Sequence, residues 1–164
     1  PQEFALELSG KPTPMVRDDA RLVEKSLFEP ALAALTDSNL ERDVACYLDS
    51  QAALQWWHRN VAKAQYGLQG WKRNKVYPDF VFAKVSGLGQ NTVVVLETKG
   101  LHLAGSEDTQ YKQELLQRLT QAYAAQSLSS AGEVELVGDG QALVCDLVFD
   151  TAWQGSLNAR HFLG

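Results

Sequence analysis

Two β-rich runs, Val76 to Val85 and Thr92 to Thr98, stand on either side of Ser86-Gly87-Leu88-Gly89-Gln90-Asn91. Branched and aromatic residues bounded by a glycine-containing turn predict a hairpin with a loop. Next comes a helical stripe, Thr109 to about Ser127, with Tyr111, Leu115, Leu119, Ala122 and Tyr123 inward. Two further strands, Glu133–Val137 and Ala142–Phe149, flank the turn sequence Gly138-Asp139-Gly140. A long helix between the hairpin and the later strands predicts helices packed on a mixed central sheet, an α/β (α+β) fold.

Upstream, Leu54 to Arg59 reads as a short strand, with an irregular stretch through Gly70 after it. Ser38 and Glu41 form an S-x-x-E capping box that opens a helix, and Leu40, Val44, Tyr47 and Leu48 supply its apolar stripe. Val16, Ala20, Val23, Leu27, Ala31 and Leu35 recur at gaps of three and four, which predicts an N-terminal helical extension over residues 1–37. At 164 residues the chain fits one domain, 1–164, with its core at about 38–150. It opens on Pro1 without a signal-peptide pattern, and reads as a piece of a longer polypeptide or a processed product.

Apolar runs fall far short of the roughly 20 residues a membrane span needs, so no membrane partner is expected. Two cysteines, Cys46 and Cys145, lie far apart in apolar surroundings and read as buried thiols of a reducing, cytoplasmic compartment. The net charge of −5 hides a marked asymmetry. Residues 1–49 carry ten acids against five bases, and residues 106–164 carry eight against three. Between Ser50 and Pro78 there is no acid, while Arg59, Lys63, Lys72, Arg73 and Lys75 are basic. Such a stretch suits an anionic polymer beside a carboxylate site, although a solvated loop is the commoner fate of a short basic run.

That basic stretch ends directly at Asp79. Asp79 precedes the apolar Phe80-Val81-Phe82, and Glu97 ends the run Val93-Val94-Val95-Leu96. An acid set against apolar strands must be solvated at a strand end, paired, or bound to a cation. Strand alternation puts Glu97 and Lys99 on one face. If the hairpin brings Asp79 beside them, two carboxylates and an ammonium share a pocket. Oxygen ligands of this kind suit Mg²⁺, with Mn²⁺ as a substitute, and the backbone carbonyl of Thr98 offers one more. Gly100 would let the chain turn without obstructing such a site. A strand-end acid after proline, and a surface Glu-Lys pair, are the plain alternatives for these residues.

Pro78-Asp79 followed by Glu97-Thr98-Lys99 resembles the signature of the PD-(D/E)XK nuclease superfamily. Leu40 to Ala45, Trp57 to Asn60, Tyr77 to Phe80, Glu97 to Gly100 and Gly105 to Lys112 resemble, in order, blocks of the C-terminal endonuclease domain of type III restriction subunits. The resemblance implies a restriction-endonuclease-like αβββαβ core and metal-dependent hydrolysis of DNA phosphodiester bonds. It implies Asp79, Glu97 and Lys99 as catalytic residues, with Asp79 and Glu97 also holding the metal. Glu41 matches an acid that joins the metal shell in this superfamily, and its capping-box role explains it as well. The family's partners would be DNA, a helicase-like motor in the parent polypeptide and a methyltransferase subunit. No G-x-x-x-x-G-K-[ST] motif is present, so no nucleotide site is expected in this chain.

Arg59, Lys63, Lys72, Arg73, Lys75 and Lys112 are candidate phosphate contacts; for Lys112 a solvated helix face competes with that role. Of Trp56 and Trp57, alternation makes one a core residue and leaves the other for stacking. His58 and His102 read as structural or incidental. The competing reading, from another class, is a catalytically silent nucleic-acid-binding or scaffold domain of a helicase-related protein.

Overall fold

A computed structural model describes residues 13–36, 38–85, 89, 91–125, 130–131, 134–135 and 142–163. Helix α1 (Asn39–Ser50) starts where Ser38 Oγ accepts the Glu41 N–H at 3.2 Å, and it buries Val44, Ala45, Cys46 and Leu48. Three strands follow: β1 (Leu54–Arg59), β2 (Phe80–Val85) and β3 (Asn91–Lys99). Helix α2 (Glu107–Ala124) then crosses over, and beyond it lie the two-residue strands β4 (Ser130–Ala131) and β5 (Val134–Glu135), which pair with each other. Strand β6 (Ala142–Phe149) and a short helix α3 (Trp153–Leu157), running into a π-helical turn over Asn158–Phe162, complete the described chain.

The main sheet has the order β1-β2-β3-β6. Its first three strands are antiparallel, and β3 and β6 are parallel. A parallel pair cannot be joined by a tight turn, which is why the α2 crossover is needed there. The expected mixed α+β architecture is therefore the one observed.

Alternation along the strands sorts the side chains into two cores. Phe80, Phe82, Val94, Leu96 and Val148 face α1, α3 and the N-terminal segment. Val81, Val93, Val95, Leu143, Cys145 and Leu147 face α2 and the long β1–β2 connection. Both cysteines are buried free thiols. Among the described residues no helix is long and apolar enough to cross a membrane.

The expected N-terminal helix is not formed. Residues 13–32 run extended through bridges Pro14–Leu32, Val16–Leu22 and Ser26–Trp57, and only Ala33–Leu35 makes a 3-10 turn. Pro30 would interrupt a helix there, having no N–H and a ring that clashes with the preceding turn. The extended backbone also finds a buried acceptor. Asp49, at the end of α1, takes N–H bonds from Lys25 at 2.8 Å and Glu24 at 3.0 Å. It accepts from Trp57 Nε1 at 3.0 Å and pairs with Arg17 at 3.2 Å as well. Three-dimensional partners here outweigh a helical period that lacks them.

Other boundaries shift for local reasons. Strand β2 starts at Phe80 rather than Val76, because Val76 exchanges N–H···O bonds of 2.7 and 2.8 Å with Leu68 and so closes the β1–β2 connection into its own loop. Helix α2 starts at Glu107, since Ser106 caps it by accepting the Thr109 N–H, and it ends at Ala124. Residues 1–12 of the extension, most of the Ser86–Asn91 loop, the end of the expected helix after Ala125, most of the Glu133–Val137 strand and the Gly138-Asp139-Gly140 turn lie outside the described residues.

Asp49→Ala would leave two backbone N–H groups and the Trp57 indole without their acceptor. We expect a loss of about 3 kcal/mol in chemical denaturation, since orphaning buried donors costs more than the net worth of the bonds. A variant as stable as the parent would show that the extended N-terminal segment does not depend on this carboxylate.

Candidate active site

Glu97 lies on the same β3 face as Val93 and Val95, the face covered by α2. Only 2 % of it is exposed. The β2–β3 register pairs Phe80 with Leu96, and continuing it by one step sets Asp79 opposite Glu97. The Asp79 N–H, which donates to the Leu96 carbonyl at 3.0 Å, extends the ladder to that point. Two acids distant in sequence thus meet at one strand end. Their separation along the chain is bridged by the hairpin alone.

Asp79 is held by its neighbour strand. Its Oδ2 accepts the Thr98 backbone N–H at 2.7 Å and the Thr98 hydroxyl at 2.8 Å. Both N–H and C=O of a strand residue point the same way, so the Thr98 carbonyl also faces the Asp79 side. The neighbouring carbonyls agree with this: that of Leu96 bonds Asp79 on one side, and that of Lys99 accepts from Asp150 on the other.

Glu97 Oε1 meets two ammonium groups, Lys112 Nζ at 2.7 Å and Lys99 Nζ at 3.2 Å. Glu97 Oε2 is buried and has no hydrogen-bond partner. A carboxylate oxygen in that position has lost its water without a replacement, which marks a place where a cation or a donor belongs. Burial pushes the Glu97 pKa up, the nearby Asp79 charge adds to this, and Lys112 and Lys99 pull against it; the net direction is up. For Lys112, burial works to lower the pKa, but Glu97, Lys99 and Asp108 together hold it above the ordinary lysine value.

Arg59 occupies the other flank. Only 8 % of it is exposed. Its Nη2 is 2.5 Å from Glu41 Oε1 and 3.7 Å from Asp79 Oδ1, and its Nη1 donates to the carbonyls of Asn60 and Asp79. The guanidinium also lies over the Phe80 ring, 5.5 Å from its centroid. An arginine so engaged is a structural tie, not the surface phosphate contact that its place in the basic stretch suggests. Glu41, a candidate ligand, pairs with Arg59, whose same Nη2 also reaches toward Asp79. Among the described residues no group of three or more His, Cys, Asp or Glu side chains gathers at a metal-sized spacing. The candidate oxygen set is therefore the two carboxylates and one carbonyl. Mg²⁺ takes few protein carboxylates and keeps several waters, so this set, with a bare Glu97 oxygen in it, fits that ion.

Lys112 is the residue whose role sequence reading understated. Its signal was legible: position 112 falls between Thr109 and Leu116, both buried, at the spacing of one helix face. Lys63, Lys72, Arg73 and Lys75 all lie exposed on the β1–β2 connection. Trp57 is core and Trp56 is partly buried against the α2-face core. His58 bonds Gln65 at 2.8 Å. Gly100 adopts φ −65° and ψ 136°, which any residue can take; what a side chain there would strike is the His102 ring, 2.6 Å from an added Cβ. Clefts among the described residues include one of 510 Å³ lined by Arg17, Asp43 and Tyr47 and one of 700 Å³ between α2 and β6, neither of them lined by Asp79, Glu97 or Lys99.

Comparisons with protein-family models, curated proteins and solved structures find no match to this chain.

In the unfolded chain Glu97 ionises near its ordinary 4.5, while in the folded chain it ionises higher. Between those two values the folded state holds the extra proton, so this group's contribution to stability falls as pH rises through the window. Lys112→Met removes the nearest compensating charge and should move the Glu97 midpoint further up, read by carboxyl ¹³C NMR without divalent ions. A midpoint that stays put or drops would contradict the ion pair.

Proposed function

We propose that this chain is a metal-dependent nuclease domain that hydrolyses DNA phosphodiester bonds at Asp79, Glu97, Lys99 and Lys112. The observation that carries the reading is the Glu97 carboxylate: one oxygen clamped by two lysines, the other buried and bare. The two lysines leave the desolvation of that second oxygen uncompensated, and a cation there would offset it. Further support comes from the order α1-β1-β2-β3-α2-β6, with the small β4–β5 pair set in before β6, which is compatible with the αβββαβ core that the resemblance to PD-(D/E)XK nucleases implies.

Asp79, Glu97 and the Thr98 carbonyl would hold Mg²⁺, or Mn²⁺ in its place. Bound there, the cation supplies a polarised phosphoryl oxygen and a water acidic enough to attack near neutral pH. The chain's own residues do the rest. Thr98 fixes Asp79 through two hydrogen bonds, so that carboxylate is oriented before any ligand arrives. Lys112 fixes Glu97 from α2. Lys99, at the strand end and 3.2 Å from Glu97 Oε1, would stabilise the charge that builds up on the scissile phosphate or orient the water. The exposed Lys63, Lys72, Arg73 and Lys75 would take the phosphates of the flanking strand. A cutting module of a type III restriction-like enzyme, working in a larger polypeptide with a helicase-like motor and beside a methyltransferase, is the setting this implies.

Asp79→Asn should abolish Mn²⁺ binding in calorimetry, and Lys99→Ala should leave thermal unfolding nearly unchanged while cutting of supercoiled plasmid with Mg²⁺ falls about 100-fold or more. A wild-type chain that neither binds the ion nor nicks the plasmid would refute the assignment, as would equal cutting by Lys99→Ala.

A further inference from the structure

The β1–β2 connection carries an aromatic that the hydrolytic site does not use. Trp71 is 55 % exposed, the most of any tryptophan among the described residues. An aromatic this open, set beside cations, can take an occupant that stacks on it. The ring meets Tyr111 edge-on at 4.9 Å between centroids, and the Arg118 guanidinium, paired with Glu114 at 2.6 Å, lies over the indole 5.0 Å from its centroid. The Lys72 ammonium covers Tyr111 in turn, 4.6 Å from that ring, while the Lys72 N–H reaches the Tyr111 hydroxyl at 3.4 Å. Gly70 permits this approach, because a Cβ there would fall 2.3 Å from the Tyr111 oxygen.

Tyr111 links this cluster to the catalytic residues. It is the neighbour of Lys112, whose ammonium touches Glu97, so one turn of α2 carries both the indole's support and the carboxylate clamp. An indole more than half exposed, on a segment that carries Lys72, Arg73 and Lys75 and no acid, is a surface that unpaired nucleotides recognise: a base stacks on the ring and phosphates meet the cations. Duplex DNA, with its bases already stacked, gains only the second of these.

We propose that Trp71 is a stacking platform for a single unpaired base, and that Lys72 holds a flanking phosphate, so that this domain grips a single strand or a frayed end beside the hydrolytic site. The inference rests on the nuclease reading for its substrate class, but not on the metal.

The test is fluorescence anisotropy of a labelled 12-nucleotide single strand, bound to the full chain in EDTA. Trp71→Ala should raise Kd about five-fold or more, and Trp71→Phe should recover part of the loss. An abasic strand should bind the parent and Trp71→Ala alike, and a blunt duplex should not distinguish them. Thermal unfolding of both variants serves as the check that Tyr111 still packs. Equal Kd values for parent and Trp71→Ala on the base-bearing strand would overturn the proposal, and point to a protein partner or to bare phosphate attraction at this loop. An abasic strand bound by the parent as tightly as the base-bearing one would overturn it as well, and so would a parent chain that binds no strand. A Trp71-dependent affinity in a chain that never cuts with Mg²⁺ would leave this platform standing and remove the hydrolase reading instead.

Discussion

A carboxylate buried in an apolar sheet is tolerable only with compensation, and the arrangement around Glu97 is organised by that requirement. Strand β3 is apolar on both faces up to Leu96, then places an acid on the face that α2 covers. Lys112 comes down onto it from α2, 2.7 Å from Oε1. Lys99, two residues on, reaches the same oxygen from the strand end. Together they leave the second oxygen unserved. The opposing pulls on the Glu97 pKa, burial and Asp79 upward and the lysines downward, express the same conflict.

Asp79 meets the same need by a different route. It stands just before β2, where the ladder opens and a side chain can bend back onto the neighbouring strand, and Thr98 supplies both donors. Arg59 completes the flank by joining α1 to this strand end through Glu41. Helix α1, the hairpin and α2 thus converge at one edge of the sheet. Distinct charges from each hold the others in place, which is the preorganisation that the proposed hydrolysis demands. At the far end of α1, Asp49 gathers the N-terminal segment by the same logic of a buried acceptor satisfied from several sides.

Much of this was legible in the chain. The alternation that puts Glu97 and Lys99 on one face, the Ser38 cap, the strand from Leu54 to Arg59 and the crossover helix all follow from local pattern. The hairpin that joins Asp79 to Glu97 follows from two apolar runs and a glycine-containing turn. The N-terminal segment was not legible. Its three-and-four spacing is real, yet the backbone is extended, because Asp49 and the edge strand offered partners that no local period encodes. Arg59 misled for a related reason: its sequence neighbours are basic and exposed, while its own side chain turns under Phe80 toward Glu41.

The sequence by itself determined the order of elements from α1 to α2, the face on which each strand residue points, and the identity of two acids and a lysine near strand ends. These are properties of nearest neighbours along the backbone, set by periods of two and 3.6. The tertiary structure alone decided which charges meet. It brought Lys112 down onto Glu97, put Arg59 between Glu41 and Asp79, set Trp71 against Tyr111, and left a single carboxylate oxygen bare. Pairings of that kind depend on the register and packing of segments far apart in the chain, and charge interactions act through the space between them.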